Sequence, residues 1–117
     1  MLNNFFGNGG SASDAQHLAA ELVCKYKKKR KAIAGISLST NTPVITSISN
    51  DIDFKYIFLR QIETIWNQGD IAIAITTSGN SKNLIEAAKS ANKKKLLLFA
   101  YQATIVAKLK DMLNFLF

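Results

Sequence analysis

Three short stretches of this chain carry side chains able to do chemistry. The first is Gly7-Asn8-Gly9-Gly10-Ser11. Glycines let a ligand approach the backbone closely, and the free N–H groups at a helix start attract an anion. It is not a dinucleotide fingerprint, because Ala12 stands where G-x-G-x-x-G needs its third glycine. On turn chemistry alone a structural turn explains the stretch equally well. The second is Thr76-Thr77-Ser78-Gly79-Asn80-Ser81, with four hydroxyls around a glycine. Hydroxyls and backbone amides can wrap phosphate oxygens without Lys or Arg. A helix cap needs only one hydroxyl, so the excess points to anion binding. The third is His17 and Glu21, four apart and therefore on one face of a helix. A carboxylate beside an imidazole moves protons or shares a divalent metal, although such pairs often only decorate a helix surface. Asn50-Asp51 either reaches a cleft or caps the next helix, and the sequence does not decide between them.

These residues need elements to position them. Leu2–Phe6 is a short apolar run entering the first glycine turn, and reads as the end of a buried strand. Ala12 to about Lys29 has helical spacing at Ala15, Leu18, Ala19, Leu22 and Val23, with Ser11 or Ser13 as its cap. Ala32–Leu38 reads as a strand buried on both faces, and Val44–Ile48 as a short helix. Phe54–Trp66 reads as a helix, Ile71–Ile75 as a strand, Asn83–Ala91 as a helix and Lys95–Ala100 as a strand. This alternation predicts an α/β fold, a three-layer sandwich with a mostly parallel sheet and helices on both faces. Ligands of such sheets bind beyond the carboxyl ends of the strands. The rule singles out the loops Gly7–Ser11 and Thr76–Ser81.

Composition narrows the function classes. With 117 residues the chain makes one domain, and 48% hydrophobic residues suffice for a core. The formal charge of +7 is concentrated in the runs Lys25–Lys31 and Lys93–Lys95. Cations suit helix C-termini, and no aromatics interleave with these runs as a base-stacking surface requires. Nucleic acid is therefore a weak candidate partner, resting on charge alone. Apolar runs are too short for a membrane span, and no leader-like segment is present. The single cysteine, Cys24, excludes an internal disulfide. A cytoplasmic protein without membrane or nucleic-acid partners is the expectation.

Taken together, GNGGSASDAQHLAAEL (Gly7–Leu22), SISND (Ser47–Asp51) and GDIAIAITTSGNSKNLIEA (Gly69–Ala87) resemble the phosphoheptose isomerases of the SIS domain family. Three separated motifs appear in the family's order, and the likeness runs from about Phe5 to Ala91. The resemblance implies a flavodoxin-like SIS fold and the isomerisation of sedoheptulose 7-phosphate to D-glycero-D-manno-heptose 7-phosphate, a lipopolysaccharide heptose precursor. It also implies a homotetramer. By position it implies substrate contacts at Asn8, Gly9, Gly10, Ser11, Glu21, Asn50, Asp51, Thr76, Thr77, Ser78 and Ser81. Glu21 matches the catalytic carboxylate, and His17 with Glu21 matches two ligands of a zinc ion. Thr76 replaces a usual Ser, and Lys25 stands where some members have Arg.

The sequence also departs from that family. Its members have a long helix before the first strand, and a late helix whose Gln and His complete the metal and proton-transfer groups. The expectation is a single, incomplete SIS domain over residues 1–117, truncated at both ends. Tyr101–Ala107 replaces a glycine-rich turn, which suggests a local frameshift repaired before Lys108. The apolar tail Met112–Phe117 reads as a strand cut before its partner helix. A second function class follows: a non-catalytic SIS module that binds sugar phosphates or a protein. One such relative carries Arg at the position of Ser78 and lacks the carboxylate of Glu21, whereas this chain has both isomerase-like residues.

Overall fold

The computed structural model describes residues 1–102 and 115–116, with side-chain surroundings given through Leu96. Five strands form one sheet: β1 (Asn3–Gly7), β2 (Gly35–Ser37), β3 (Ile71–Thr76), β4 (Leu97–Gln102) and β5 (Phe115–Leu116). Every neighbouring pair is parallel, in the order β2-β1-β3-β4-β5. Among the described residues there are four α-helices: α1 (Gly10–Val23), α2 (Thr42–Asp51), α3 (Ile57–Ile65) and α4 (Lys82–Lys93). A 3-10 turn, Phe54–Tyr56, leads into α3. Right-handed crossovers account for the layers. The chain moves one way from β1 to β2 and the other way from β3 to β4, so α1 and α4 must cover opposite faces. The α/β sandwich with a parallel sheet that the alternation predicted is present.

The two faces of β1 feed two cores. Phe6 points to the α3–α4 side and packs with Phe58, Ile62, Leu84, Ala87, Ala88 and Ala91. The Phe6 and Phe58 ring centroids lie 5.4 Å apart in a tilted arrangement, a favourable aromatic geometry. Phe5 points the other way, against Ala15 and Ala19 of α1 and Ile75 of β3. Alanines on the inner faces of α1 and α4 let both helices sit close to the sheet. At the other end of β1, the Leu2 N–H donates to Asp70 Oδ1 at 2.7 Å and the Asn67 N–H to Oδ2 at 2.9 Å. One buried carboxylate thereby ties the entry of β1 to the turn before β3.

Several boundaries differ from the sequence reading. α1 starts at Gly10 with Gly9 as its cap, not with Ser11 or Ser13. It ends at Val23, six residues before Lys29. Like charges at Lys25, Lys28 and Lys29 fall at helical three- and four-residue spacing, which disfavours continuation. Arg30 instead folds back and donates to the Glu21 and Leu22 carbonyls at 2.6 and 2.8 Å. The first basic run is exposed chain beyond a helix end, capped by its own arginine. β2 is a half-buried strand of three residues rather than a fully buried one over Ala32–Leu38, because it is the sheet edge. α2 is longer than expected: Asn41 Oδ1 accepts the Val44 N–H at 3.2 Å, and Pro43 occupies its first turn. The chain over Tyr101–Gln102 is strand, while residues 103–107 and most of the apolar tail lie outside the described residues.

Gly7 is where β1, β3 and α1 meet. A Cβ there would stand 2.7 Å from the Ile75 carbonyl oxygen and 2.8 Å from Ser11 Cβ. Both neighbours are held by regular structure, so neither can yield cheaply. Gly7→Ala is expected to lower unfolding free energy by about 1–3 kcal/mol, measured by urea denaturation.

Candidate functional site

In this strand order the connections diverge between β1 and β3, and the crevice at that switch point is where open α/β sheets bind ligands. Both loops singled out from the sequence emerge there. Gly7, the last residue of β1, pairs with Ile75, the penultimate residue of β3. The first loop therefore lies beside the second, on one rim. A cleft of about 540 Å³ opens between them, lined by Asn8, Gly9, Ser81, Lys82 and Asn83, and by Asp53, Phe54 and Lys55 from the turn before α3.

The local chemistry of the two loops is alike. Gly9 caps α1 at φ 56°, ψ −123°, and Gly79 lies at φ 67°, both in the region that favours glycine. Neither α1 nor α4 has a side-chain cap hydrogen bond at its N-terminus, in Ser81's case despite a hydroxyl in place. Asn41 caps α2, and Asp53 Oδ1 accepts the Lys55 N–H at 2.8 Å at the 3-10 turn, while α3 behind that turn has no side-chain cap either. Both helices that begin at the crevice thus start uncapped. First-turn N–H groups and the positive ends of two helix dipoles face one space, which suits an anion. Thr76 is buried and its Oγ1 accepts the Gly79 N–H at 3.0 Å, which shapes the turn. Thr77 and Ser78 are exposed, and Ser78 Oγ accepts the Asn80 N–H at 3.3 Å while its own O–H stays free to donate outward.

Other expected residues lie elsewhere. Asn50 and Asp51 are exposed at the end of α2, with the Asn50 amide donating to Asp51 Oδ1 at 2.8 Å, and they are not among the residues lining this cleft. The next turn, Asp53–Lys55, supplies that wall instead. His17 and Glu21 do sit together, with Nε2 3.6 Å from Oε1. They line a separate hollow of about 450 Å³ with Phe5, Leu18, Leu22, Tyr26 and Arg30. That hollow shares no lining residue with the glycine-loop cleft. Glu21 is eleven residues along α1 from Gly10, about 16 Å at 1.5 Å per residue. Two donors also fall short of a zinc site, since catalytic zinc takes three protein ligands and structural zinc four. Among the described residues no group of three or more His, Cys, Asp or Glu is placed to hold a metal.

Sequence reasoning missed Lys55, Lys82 and Asn83. Lys82 and Asn83 directly follow the hydroxyl loop and occupy the first turn of α4, a position that could have flagged them. Nothing local in Asp53–Lys55 signals a cleft wall; the path of the chain from β2 past β1 to β3 brings it there.

Residues 4–101 match the SIS domain. Over 87 residues the chain is 56% identical to a phosphoheptose isomerase of Campylobacter concisus, covering 74% of this chain and 46% of that protein. The solved phosphoheptose isomerase of Neisseria gonorrhoeae superposes with a TM-score of 0.86 at 37% identity, covering 97% of this chain and 58% of that one. For the Francisella tularensis phosphoheptose isomerase the TM-score is 0.89 at 30% identity, covering 97% and 59%. The chain spans about half the length of the curated relatives it matches. With its strand order, its switch-point cleft and a match across nearly all the described residues, the chain belongs to the SIS domain family.

Proposed function

We propose that this protein acts as a phosphoheptose isomerase, converting sedoheptulose 7-phosphate to D-glycero-D-manno-heptose 7-phosphate. One observation carries the phosphate half of the reading: two helices start uncapped at one crevice, with Ser81 of the hydroxyl loop on its wall. The names of relatives more than half identical to the chain support the heptose half.

In this reading the phosphate sits against Gly9, Gly10 and Ser11 on one side and Thr77, Ser78 and Ser81 on the other. Thr76 holds the second turn in shape, and the Asn8 backbone leads into the first. Fixing the phosphate orients the carbonyl end of the sugar. Glu21 acts there as the base: it takes a proton from C1 of the ketose and returns it to C2, while the carbonyl oxygen gains a proton and the C1 hydroxyl loses one. The enediol between these steps carries the shared electron pair.

A base must come within roughly 3 Å of the proton it moves. The length of α1 sets the Glu21 backbone about 16 Å along the helix from Gly10, and Glu21 lines a hollow separate from the phosphate cleft. We therefore extend the proposal to a homo-oligomer, the tetramer that the family resemblance implies, in which one copy's Glu21 serves another copy's phosphate cleft. Asn50 and Asp51, exposed at the end of α2, would meet substrate only in such an assembly. His17 and Glu21 would be two ligands of a zinc ion completed by groups outside the described residues; bound there, zinc would polarise the sugar carbonyl. The setting proposed is the cytoplasm. No helix among the described residues is long and apolar enough to cross a membrane.

Three outcomes test this. Ser78→Ala should raise KM for sedoheptulose 7-phosphate by roughly 10- to 100-fold, the worth of one hydrogen bond to a charged group, with kcat little changed. Glu21→Ala should lower kcat by roughly 10²- to 10⁴-fold; an unchanged kcat would remove Glu21 from the chemistry. Co-expressed Glu21→Ala and Ser78→Glu subunits, each inactive alone, should regain turnover together. Mixtures no better than either parent would show that the carboxylate serves its own chain or none.

A further inference from the structure

Asn83 is 2% exposed on the first turn of α4, where a buried carboxamide must be hydrogen-bonded to be tolerated. Its partner is Asn8, 75 residues earlier. The Asn8 amide donates to Asn83 Oδ1 at 2.9 Å, and the Asn83 amide donates to Asn8 Oδ1 at 2.8 Å. The pair joins the residue before the cap of α1 to the second residue of α4. It therefore spans the crevice at its base and sets the spacing of the two helix starts. Those starts are both positive ends of dipoles, so they repel when no anion lies between them. A link of fixed length must offset that repulsion for the crevice to keep its width.

We infer that Asn83 is a positioning residue: through its reciprocal bond with Asn8 it holds the two helix N-termini at the separation one tetrahedral anion bridges. The inference rests on the proposed phosphate site and assigns Asn83 no contact with substrate. It also gives the Asn8 side chain a first duty across the crevice rather than toward the sugar.

A carboxamide offers a donor and an acceptor side by side at every pH, whereas a carboxyl does so only while protonated. Asn83→Asp keeps the shape and makes the link depend on pH. With the introduced carboxyl protonated, its O–H replaces the lost N–H and both bonds survive. Once it ionises, one carboxylate oxygen faces Asn8 Oδ1 and the second bond becomes a repulsion. The second bond is present while that carboxyl is protonated and lost once it ionises. Burial and the facing oxygen disfavour ionisation, whereas the helix N-termini, Lys55 and Lys82 favour it and Asp53 opposes it.

The test is calorimetric titration of wild-type protein and of Asn83→Asp with sulfate, whose charge does not change between pH 5 and pH 8. Wild-type affinity should vary little across that range. Asn83→Asp should bind about tenfold more weakly than wild type at pH 8, with circular dichroism showing a folded protein. Asn8→Ala and Asn83→Ala should each weaken binding, and the double variant should be little worse than either, since both break one link. Equal binding by Asn83→Asp and wild type at pH 8 would overturn the positioning role alone. So would a double variant whose loss is the sum of the two single losses. Failure of the wild-type protein to bind sulfate would overturn the phosphate site, and the positioning role with it.

Discussion

The parallel pairing of β1 with β3 is the contact on which the rest of the structure depends. Its ladder runs from Asn3 opposite Ile71 to Gly7 opposite Ile75. Sixty-odd residues of chain leave after β1 and return before β3, so this pairing closes the largest loop in the described fold. The closure entropy is met by burial on both faces at once: Phe6, Ala72 and Ala74 toward α3 and α4, Phe5 and Ile75 toward α1. Asp70 fastens one end of the ladder. The missing side chain of Gly7 allows the other end to close.

From that pairing the site follows without further instruction. Two adjacent parallel strands deliver their following loops to one rim, and right-handed crossovers carry the following helices to opposite faces. Two positive helix ends are thereby brought side by side, an arrangement unfavourable in itself and favourable around an anion. Leaving both starts uncapped costs stability in the free protein and keeps their N–H groups available. The lysines at the cleft mouth, Lys55 and Lys82, add long-range attraction. Lys55 is also spent locally, over the Tyr56 ring at 4.9 Å and 3.9 Å from Asp53. Recognition of this kind depends on backbone geometry, so glycines matter in it as much as polar side chains.

A helix is also a ruler. The same α1 that begins at the glycine loop carries His17 and Glu21 away from it at 1.5 Å per residue, to a hollow ringed by exposed apolar groups such as Leu18 and Tyr26. The two constellations thus line two separate hollows of one copy, which share no residue.

The linear sequence by itself determined the elements and which of them bear chemistry. Apolar spacing marked β1, β3, α3 and α4 nearly in full, because their partners lie on the faces that periodicity reports. Glycine and hydroxyl clusters marked the two loops that meet at the crevice, because loop chemistry there is local. Local patterning erred at the end of α1, where charge repulsion and the fold-back of Arg30 outweigh helix propensity, and at β2, which sits at the sheet edge. Only the tertiary structure decided that the two loops share a rim, that Asp53–Lys55 rather than Asn50-Asp51 walls the cleft, that Asn8 and Asn83 are bonded, and that Glu21 is remote. Each of these is a contact or a separation between residues distant along the chain. Residue type and spacing record what a group can do, whereas distance through space arises only when strand order and crossover handedness act together.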